Sequence, residues 1–371
     1  DRRFFLRRSR GFVPDKISIN HDKTVIGVGA EENVNSAISI GGNVYITQYI
    51  GNTKYYPTTE FLRSATEHLL GLLGAQKVEG IGADLHPRYL TKRYGRKLAE
   101  RFGVEIIEVQ HHFAHAASLM VDNQVEEDII ALTLDGAGYG TDGSIWGGEI
   151  LLSSFEDFKR IGHLEKIPLI GGDAATKDPR RLVFAIFERL GRETDLFEEG
   201  EAEILRNLMK RSPLTSSTGR VLDALSCYLG IGIKRSYDGE PAMRLEKYLD
   251  AGELRYDFET DIESGNVRTL PLFEQLIEHP FESEKEKADL AYSFIYKLLE
   301  EMTNIAIQTA GDNGIGYIGI TGGVSYNIPM VKMVDNFVKE AGLKFLTHNQ
   351  VPNGDGGIST GQNAIAGHRL K

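Results

Sequence analysis

Apolar residues in this chain repeat with two different periods. Residues 24–29 (TVIGVG) form a β-rich run, followed by the polar turn AEEN, a second run SAISI, a turn at Gly41 and Gly42, and a third run NVYITQYI. That order predicts strand, loop, strand, tight turn, strand. The pattern returns at Ile129 as IIALTLD, GAGYGTDG, SIW, a turn at Gly147 and Gly148, and EILLSSF. A meander that occurs twice, each time with an acidic or glycine-rich loop after its first strand, predicts a duplicated two-lobe architecture.

Between the copies the period becomes helical. Residues 59–74 set Phe61, Leu62, Ala65, Leu69, Leu72 and Leu73 on one face. Residues 80–83 read as a strand, 88–102 as a helix, 105–109 as a strand and 111–121 as a helix, so the first lobe is βββαβαβα. Beyond the second meander, GGDAATKDPRR leads into a mainly helical, acidic insertion over about 173–310. Pro179 after Asp178 suits a helix start, residues 219–230 and 284–310 carry helical period, and 250–278 reads as an irregular surface insertion. Residues 317–321 (YIGIT) form a strand running into Gly322 and Gly323, with a helix from near Asn327. A strand at 344–347 precedes HNQVPNGDGGIS and a final helix from Ser359. The expected organisation is a tail of a preceding module or a linker over 1–17, lobe I over 18–125 rejoined by the final helix 359–371, and lobe II over 126–358.

A chain of 371 residues, 41% hydrophobic and 26% charged, is large enough for two lobes with real cores. No apolar run approaches the roughly 18 residues a transmembrane helix needs, and the N-terminus lacks the apolar core of a signal peptide, so no membrane role is expected. The single cysteine, Cys227, excludes an internal disulfide and makes a reducing cytoplasm the default. Its helix-period apolar neighbours assign it to packing rather than to nucleophilic work. A net charge of -11 argues against a broad nucleic-acid surface. The basic opening, DRRFFLRRSRGFVP, reads as a linker or as an arm for an anionic partner.

Candidate chemistry concentrates in VQHHFAHAA. His111 and His115 lie four residues apart on one helical face, close enough to hold one ion. An isolated HxxxH is most simply a pair of capping or core histidines, and two histidines are only half a metal site. Two glycine-bounded loops offer the missing carboxylates, Asp135 in LDGAGYG and Asp355 in PNGDGGIS. Glycines between a strand and a helix start also leave backbone N–H groups open to a phosphate. Each loop alone has a simpler reading: LDGAGYG as a hairpin turn, GGVSYN as close strand–helix packing, and Asn327 as either an adenosine contact or the cap of its own helix.

Taken in order, HHFAHAAS, LDGAGYGTDGSIWGGE, TSSTGRVLDA, YDGEPAMRLE, TGGVSYN and VPNGDGGISTGQ resemble the carbamoyltransferase module of the HypF hydrogenase-maturation proteins. That module is similar to tRNA threonylcarbamoyltransferases and antibiotic O-carbamoyltransferases. The resemblance runs from about Arg8 to the end, and RRSRGFVP resembles the close of a preceding adenylate-forming module. It implies an α/β chain with the fold of actin, sugar kinases and heat-shock chaperones, two ribonuclease-H-like lobes around a nucleotide cleft. It implies that His111, His115, Asp135 and Asp355 bind a divalent metal, iron, zinc or manganese. Gly136, Gly138, Gly322, Gly323, Asn327, Gly356 and Gly357 are the implied contacts to ATP or carbamoyl-adenylate, with magnesium a further candidate ion. Glu240 and the loop carrying Gly171, Gly172, Asp173 and Lys177 match cleft segments, and Glu31 and Lys177 are the candidate catalytic side chains.

Two departures stand out. The first loop reads GAEEN where the resemblance calls for GAELKN, so Asn33 replaces a lysine; GGVSYN stands where GGVFQN is familiar. The implied reaction is carbamoyl transfer to the C-terminal cysteine of a HypE-type partner, with carbamoyl-adenylate made by an upstream or separate adenylating module. The competing readings are threonylcarbamoyl transfer to tRNA, an ATP-hydrolysing sugar kinase or chaperone-like protein, and a zinc peptidase, the last lacking the HExxH glutamate.

Overall fold

Residues 5–9 and 11–370 are described in a computed structural model. The first sheet has six strands, β1 (Lys16–Ser18), β2 (Val25–Gly27), β3 (Ala37–Ile40), β4 (Asn43–Ile46), β5 (Gly80–Asp84) and β6 (Glu105–Val109), in the order β1-β4-β3-β2-β5-β6. Strands β2 to β4 form the expected antiparallel meander, and β5 and β6 extend it in parallel. Helix α1 (Tyr56–Leu73) precedes β5, α2 (Leu90–Phe102) joins β5 to β6, and α3 (His111–Asn123) follows β6 after a single residue.

The second sheet repeats the plan. Strands β7 (Ile129–Tyr139), β8 (Ile145–Ser153) and β9 (Phe158–Leu164) form the meander. The following segment holds β10 (Ile167–Pro168), α4 (Asp173–Lys177), α5 (Arg180–Leu190), α6 (Glu199–Met209), β11 (Leu214–Thr215), α7 (Thr218–Tyr228), α8 (Glu240–Ala251), β12 (Ile262–Glu263), β13 (Asn266–Val267), α9 (Leu270–Glu278) and α10 (Glu284–Asn313). Strand β14 (Tyr317–Thr321), helix α11 (Ile328–Glu340), strand β15 (Lys344–Leu346) and helix α12 (Ile358–Arg369) complete the described chain. The path β9-β8-β7-β14-β15 reproduces β4-β3-β2-β5-β6, with the last two strands parallel in both. This is the duplication that the repeated meander predicts.

Helix α12 packs on the first half. A Cβ at Gly82 would lie 2.5 Å from the Gln362 carbonyl, and one at Gly361 would collide with the carbonyl of Ala114. Glycine at these two positions lets α12 lie directly on the first sheet and on α3. Residues 111–122 of α3 are buried without exception, although five of them are His or Asp or Ser. Polar groups in such a helix must find partners or ligands.

Three expectations change. The expected tail, residues 1–17, contributes to the first sheet: Ile17 is buried in β1, which pairs with β4, and the Arg8 carbonyl accepts from Tyr49 N–H at 2.9 Å. A three-residue edge strand with one inward side chain is too short to show alternation. Residues 1–4 and 10 of that tail, and residue 371 of the final helix, lie outside the described residues. GAGYGTDG is only partly a loop, because β7 continues to Tyr139 across a register shift between Leu134 and Gly138. Finally, 250–278 is not a surface insertion. Phe258, Val267, Leu270, Leu272, Phe273 and Leu276 join the large core beneath the second sheet, and β13 pairs with β9. Phe258 and Val267 sit on a loop and a two-residue strand that carry no period, whereas Leu270, Leu272, Phe273 and Leu276 share one face of the short helix α9. Among the described residues no helix is long and apolar enough to cross a membrane.

Candidate metal centre and its cleft

The Gln110 side chain caps α3 by accepting from Phe113 N–H at 2.9 Å, which starts the helix on His111 and points its first turn at the ends of β7 and the 355–357 turn. One ligand atom each from His111, His115, Asp135 and Asp355 then falls within 4.8 Å of the others. His111 Nε2 lies 3.4 Å from Asp135 Oδ2 and 3.5 Å from Asp355 Oδ1; His115 Nε2 lies 3.9 Å from each of the same oxygens. Both Nε2 atoms are buried without a hydrogen-bond partner among the described residues. Buried unpartnered imidazole nitrogens facing two carboxylates are costly in an empty protein and suited to a cation. The residues therefore fit a divalent metal.

Two supporting contacts make the set more than a coincidence of side chains. Asp84, at the end of β5, is buried and lies 2.9 Å from His111 Nδ1, and also accepts the His86 N–H. It thereby directs His111 Nε2 towards the carboxylates, as outer partners of metal-binding histidines do. Asp135 Oδ1 accepts the Gly323 N–H at 3.0 Å. Sequence reasoning missed Asp84; an acidic residue at the carboxyl end of a buried strand was the available signal.

The electrostatics differ across the set. Burial would lower the His111 pKa, but Asp355, Asp135 and Asp84 outweigh it and raise it well above the ordinary value. Burial, reinforced by His111, lowers His115 to about 3. Burial raises Asp355 to about 6 against the pull of His111, whereas for Asp135 the neighbouring histidines overcome burial and lower it. His112 is on another face: it packs against Gly138, with its ring centroid 6.1 Å from that of Trp146.

The glycine loops do not present rows of open amides. Gly322 N–H bonds to Asn353 O, Gly357 N–H to Gly354 O and Gly172 N–H to Leu169 O; Gly171 N–H donates to Ser212 Oγ, and Gly323 serves Asp135. Their glycines answer close approach, since a Cβ at Gly323 would lie 2.9 Å from Asp135 Oδ1. Gly136 O accepts from Ser217 Oγ at 2.6 Å, and Gly356 O from Asn35 Nδ2 at 2.7 Å. Asn327 Oδ1 accepts Met330 N–H and so caps α11. Glu240 is buried in its own turn, bound by Ser236 N–H and Oγ–H and by Arg244.

At the cleft, the missing loop cation is supplied from elsewhere. Lys54 Nζ lies 3.4 Å from Glu31 and 3.5 Å from Glu32. Burial raises the Glu31 pKa, and Lys54 partly offsets it; Asp173 from the facing loop also acts on it. Lys177 is exposed at the rim, its ammonium without a partner among the described residues, while its carbonyl accepts Arg235 N–H.

Comparison with known proteins supplies the lineage. The family described as "Carbamoyltransferase, Kae1-like Domain, second subdomain" matches residues 131–362, and "HypF Kae1-like domain" matches residues 20–122. The probable carbamoyltransferase HypF of Methanocaldococcus jannaschii is 42% identical over 375 aligned positions, covering 98% of this chain and 49% of that protein. The crystal structure of T. kodakarensis HypF superposes with a TM-score of 0.89 at 35% identity, over 98% of this chain and 50% of the other. A full-length HypF in its phosphate- and nucleotide-bound form gives 0.91 at 26% identity, over 99% and 59%. The chain spans about half the length of the curated relatives it matches. With both Kae1-like subdomains present in order and 98% of the chain aligned to the Methanocaldococcus jannaschii relative, it belongs to the HypF carbamoyltransferase family.

Proposed function

We propose that this chain transfers a carbamoyl group from carbamoyl-adenylate to the C-terminal cysteine of a HypE-type protein, within a two-lobed fold of the actin and sugar-kinase kind. The observation that carries the reading is the set of buried His111, His115 and Asp135 with half-buried Asp355, both Nε2 atoms being open. These four residues would hold iron, zinc or manganese, which supplies Lewis acidity towards a phosphate or carbamoyl oxygen. Asp84 fixes the His111 tautomer and the Gly323 amide fixes Asp135, so the donors are arranged before ligand arrives. The relative crystallised with phosphate and nucleotide supports a nucleotide in this chain's cleft, with Gly136, Gly323 and Gly356 near its phosphate and magnesium as a further ion.

The nucleophile comes from the acceptor. Burial pushes the Cys227 thiol up to about 12, which leaves it protonated and unreactive. Glu31, raised by burial and held by Lys54, is the cleft carboxylate suited to take the proton from an incoming thiol. The donor is made by an adenylating module upstream or separate, and a reducing cytoplasm is the proposed setting for a free acceptor cysteine.

The test is mass spectrometry of a cysteine-ended HypE-type protein after incubation with this chain and preformed carbamoyl-adenylate, beside a tRNA acceptor. A carbamoyl mass gain on the terminal cysteine is expected, and His111→Ala is expected to lose both bound metal and turnover. Full transfer by a metal-free His111→Ala protein would sink the assigned role, and a tRNA adduct would replace the acceptor.

A further inference from the structure

Most arginines of the second half are held by carboxylates: Arg180 by Asp178 at 2.7 Å, Arg206 by Glu188 and Glu199 at 2.9 and 2.8 Å, and Arg235 by Asp238. Lys177, Arg181, Arg211 and Lys234 form no ion pair among the described residues. They lie along one band. Gly171 N–H donates to Ser212 Oγ at 3.3 Å, which sets Arg211 beside the turn at Gly171 and Gly172. A Cβ at the exposed Gly171 would lie 3.0 Å from Arg181 Nη1, so glycine there leaves one side of that half-buried guanidinium uncovered. From this turn the short helix α4 leads to Lys177, whose carbonyl accepts Arg235 N–H at 3.2 Å and so brings Lys234 alongside. Lys177, Arg211 and Lys234 are all exposed.

The carboxylates of the neighbourhood do not neutralise this band. Asp178 and Asp238 are taken by Arg180 and Arg235, and Asp173 acts on Glu31 and Arg235 in the cleft. Glu201 and Glu203 lie in the first half of α6, about 9 Å or more along its axis from the end that leads to Arg211. In a chain of net charge -11 the band is a local reversal of sign. Aliphatic side chains lie among its cations: Leu208 and Leu214, on either side of Arg211 in sequence, are each 43% exposed, and Ile233 beside Lys234 is 50% exposed. Cations interleaved with exposed aliphatic groups suit a protein interface, whereas a nucleic-acid backbone would use the cations alone.

Resting on the reading of a protein acceptor, we propose that this band, on the cleft rim beside Asp173, docks an acidic segment of the acceptor polypeptide that also carries apolar side chains, and so delivers its terminal cysteine to the cleft. The charges act on the encounter. They raise the rate at which the acceptor arrives and touch none of the reacting atoms. Arg211 and Lys234, at the two ends of the band, select the partner.

The experiment uses the full chain with a fluorescently labelled, cysteine-ended HypE-type protein. Association and dissociation are followed by stopped-flow anisotropy without donor, and transfer from carbamoyl-adenylate is read by mass over a range of acceptor concentrations. Wild-type association is expected to slow about tenfold between about 0.05 and about 0.5 M salt. In the double substitution Arg211→Glu, Lys234→Glu, association at low salt falls about tenfold and its salt dependence flattens, with KM for the acceptor raised while kcat and bound metal hold. Arg181→Gln gives a smaller fall in the same direction. No association by the wild type, association indifferent to salt, an unchanged rate in the charge-reversed protein, or a loss of kcat or metal in place of the KM effect would overturn the assignment. So would tRNA binding that the double substitution abolishes while the acceptor protein still binds as before. The salt series needs no variant, and both reversed side chains are exposed and unpaired, so misfolding cannot obscure the result. Salt-dependent binding without any mass gain keeps the docking surface and removes the transfer reading; transfer at unchanged KM by the charge-reversed protein does the reverse.

Discussion

Helix α3 carries a histidine–aspartate group at each end, and the two are built to opposite rules. At its start, His111 and His115 face Asp135 and Asp355 with Nε2 atoms that have no hydrogen-bond partner among the described residues. At its other end, Asp122 accepts the N–H groups of Asn349, Gln350 and Val351 and lies 3.4 Å from His348 Nδ1, while His348 Nε2 is 2.9 Å from Thr321 Oγ1. Thr321 Oγ1 also lies 3.4 Å from the carbonyl of His115 and so links the two groups. Both ends are buried and use the same residue types. What separates an internal brace from a candidate ligand site is that the Asp122 carboxylate is taken up by three backbone N–H groups and His348 Nε2 by Thr321, although His348 Nδ1, like the two Nε2 atoms of the site, has no hydrogen-bond partner among the described residues. The brace holds the 347–351 segment, and with it the turn bearing Asp355, against the helix that bears the histidines.

This contrast can be broken at either end. Asp122→Ala should have the largest effect, since it strips the acceptor from three backbone N–H groups and an imidazole; a loss of about 3 kcal/mol of folding free energy is expected from denaturant unfolding. The four candidate ligands themselves are unchanged in that variant, so metal bound per folded molecule should fall by much less than stability does. If Asp122→Ala instead kept its stability and lost its metal, the division into brace and site would be wrong. Asp84→Asn acts at the opposite end. It should weaken metal affinity by roughly 10 to 100-fold, measured by competition with a chelator, because His111 loses the partner that orients it. Unfolding of the metal-free protein should change little by comparison.

His21 sharpens the comparison from outside both groups. It packs edge-on to His368, with ring centroids 5.7 Å apart, and burial, reinforced by His368, lowers it to about 4 from the ordinary 6.5. Between those values the unfolded chain holds a proton that the folded chain does not. Stability contributed by the neutral ring is therefore complete above about pH 6.5 and declines as pH falls towards 4, with a slope of at most about one proton. In His21→Gln the pH dependence of unfolding over that window should flatten; an unchanged slope would assign it to other groups.

Local pattern was enough for the repeated meander, for β6 and α3 to within a few residues, and for the four candidate ligands, because each is signalled within a short stretch by period, glycine punctuation or i,i+4 spacing. β1 escaped because three residues cannot display a period; in 250–278 only Phe258 and Val267, on a loop and a two-residue strand, lacked a periodic signal, while Leu270, Leu272, Phe273 and Leu276 lie at helical spacing on the short helix α9. The phosphate reading of the glycines failed in part for another reason. A glycine in sequence does not say whether its amide is open or, as at Gly322 and Gly323, already bonded.

By itself, then, the order of residues marked most of the strands and helices and the side chains that are candidate metal ligands. Tertiary structure alone decided that Asp84 stands behind His111, that Lys54 takes the place of the missing loop lysine, that Glu240 is bound within its own turn, and that Arg220 lies next to Asp135. Asp84 and His111 are joined by parallel pairing of β5 with β6, and Arg220 and Asp135 by packing of α7 against β7. Such contacts arise from strand order and helix placement between segments far apart in the chain, and periodicity within a segment contains no record of them.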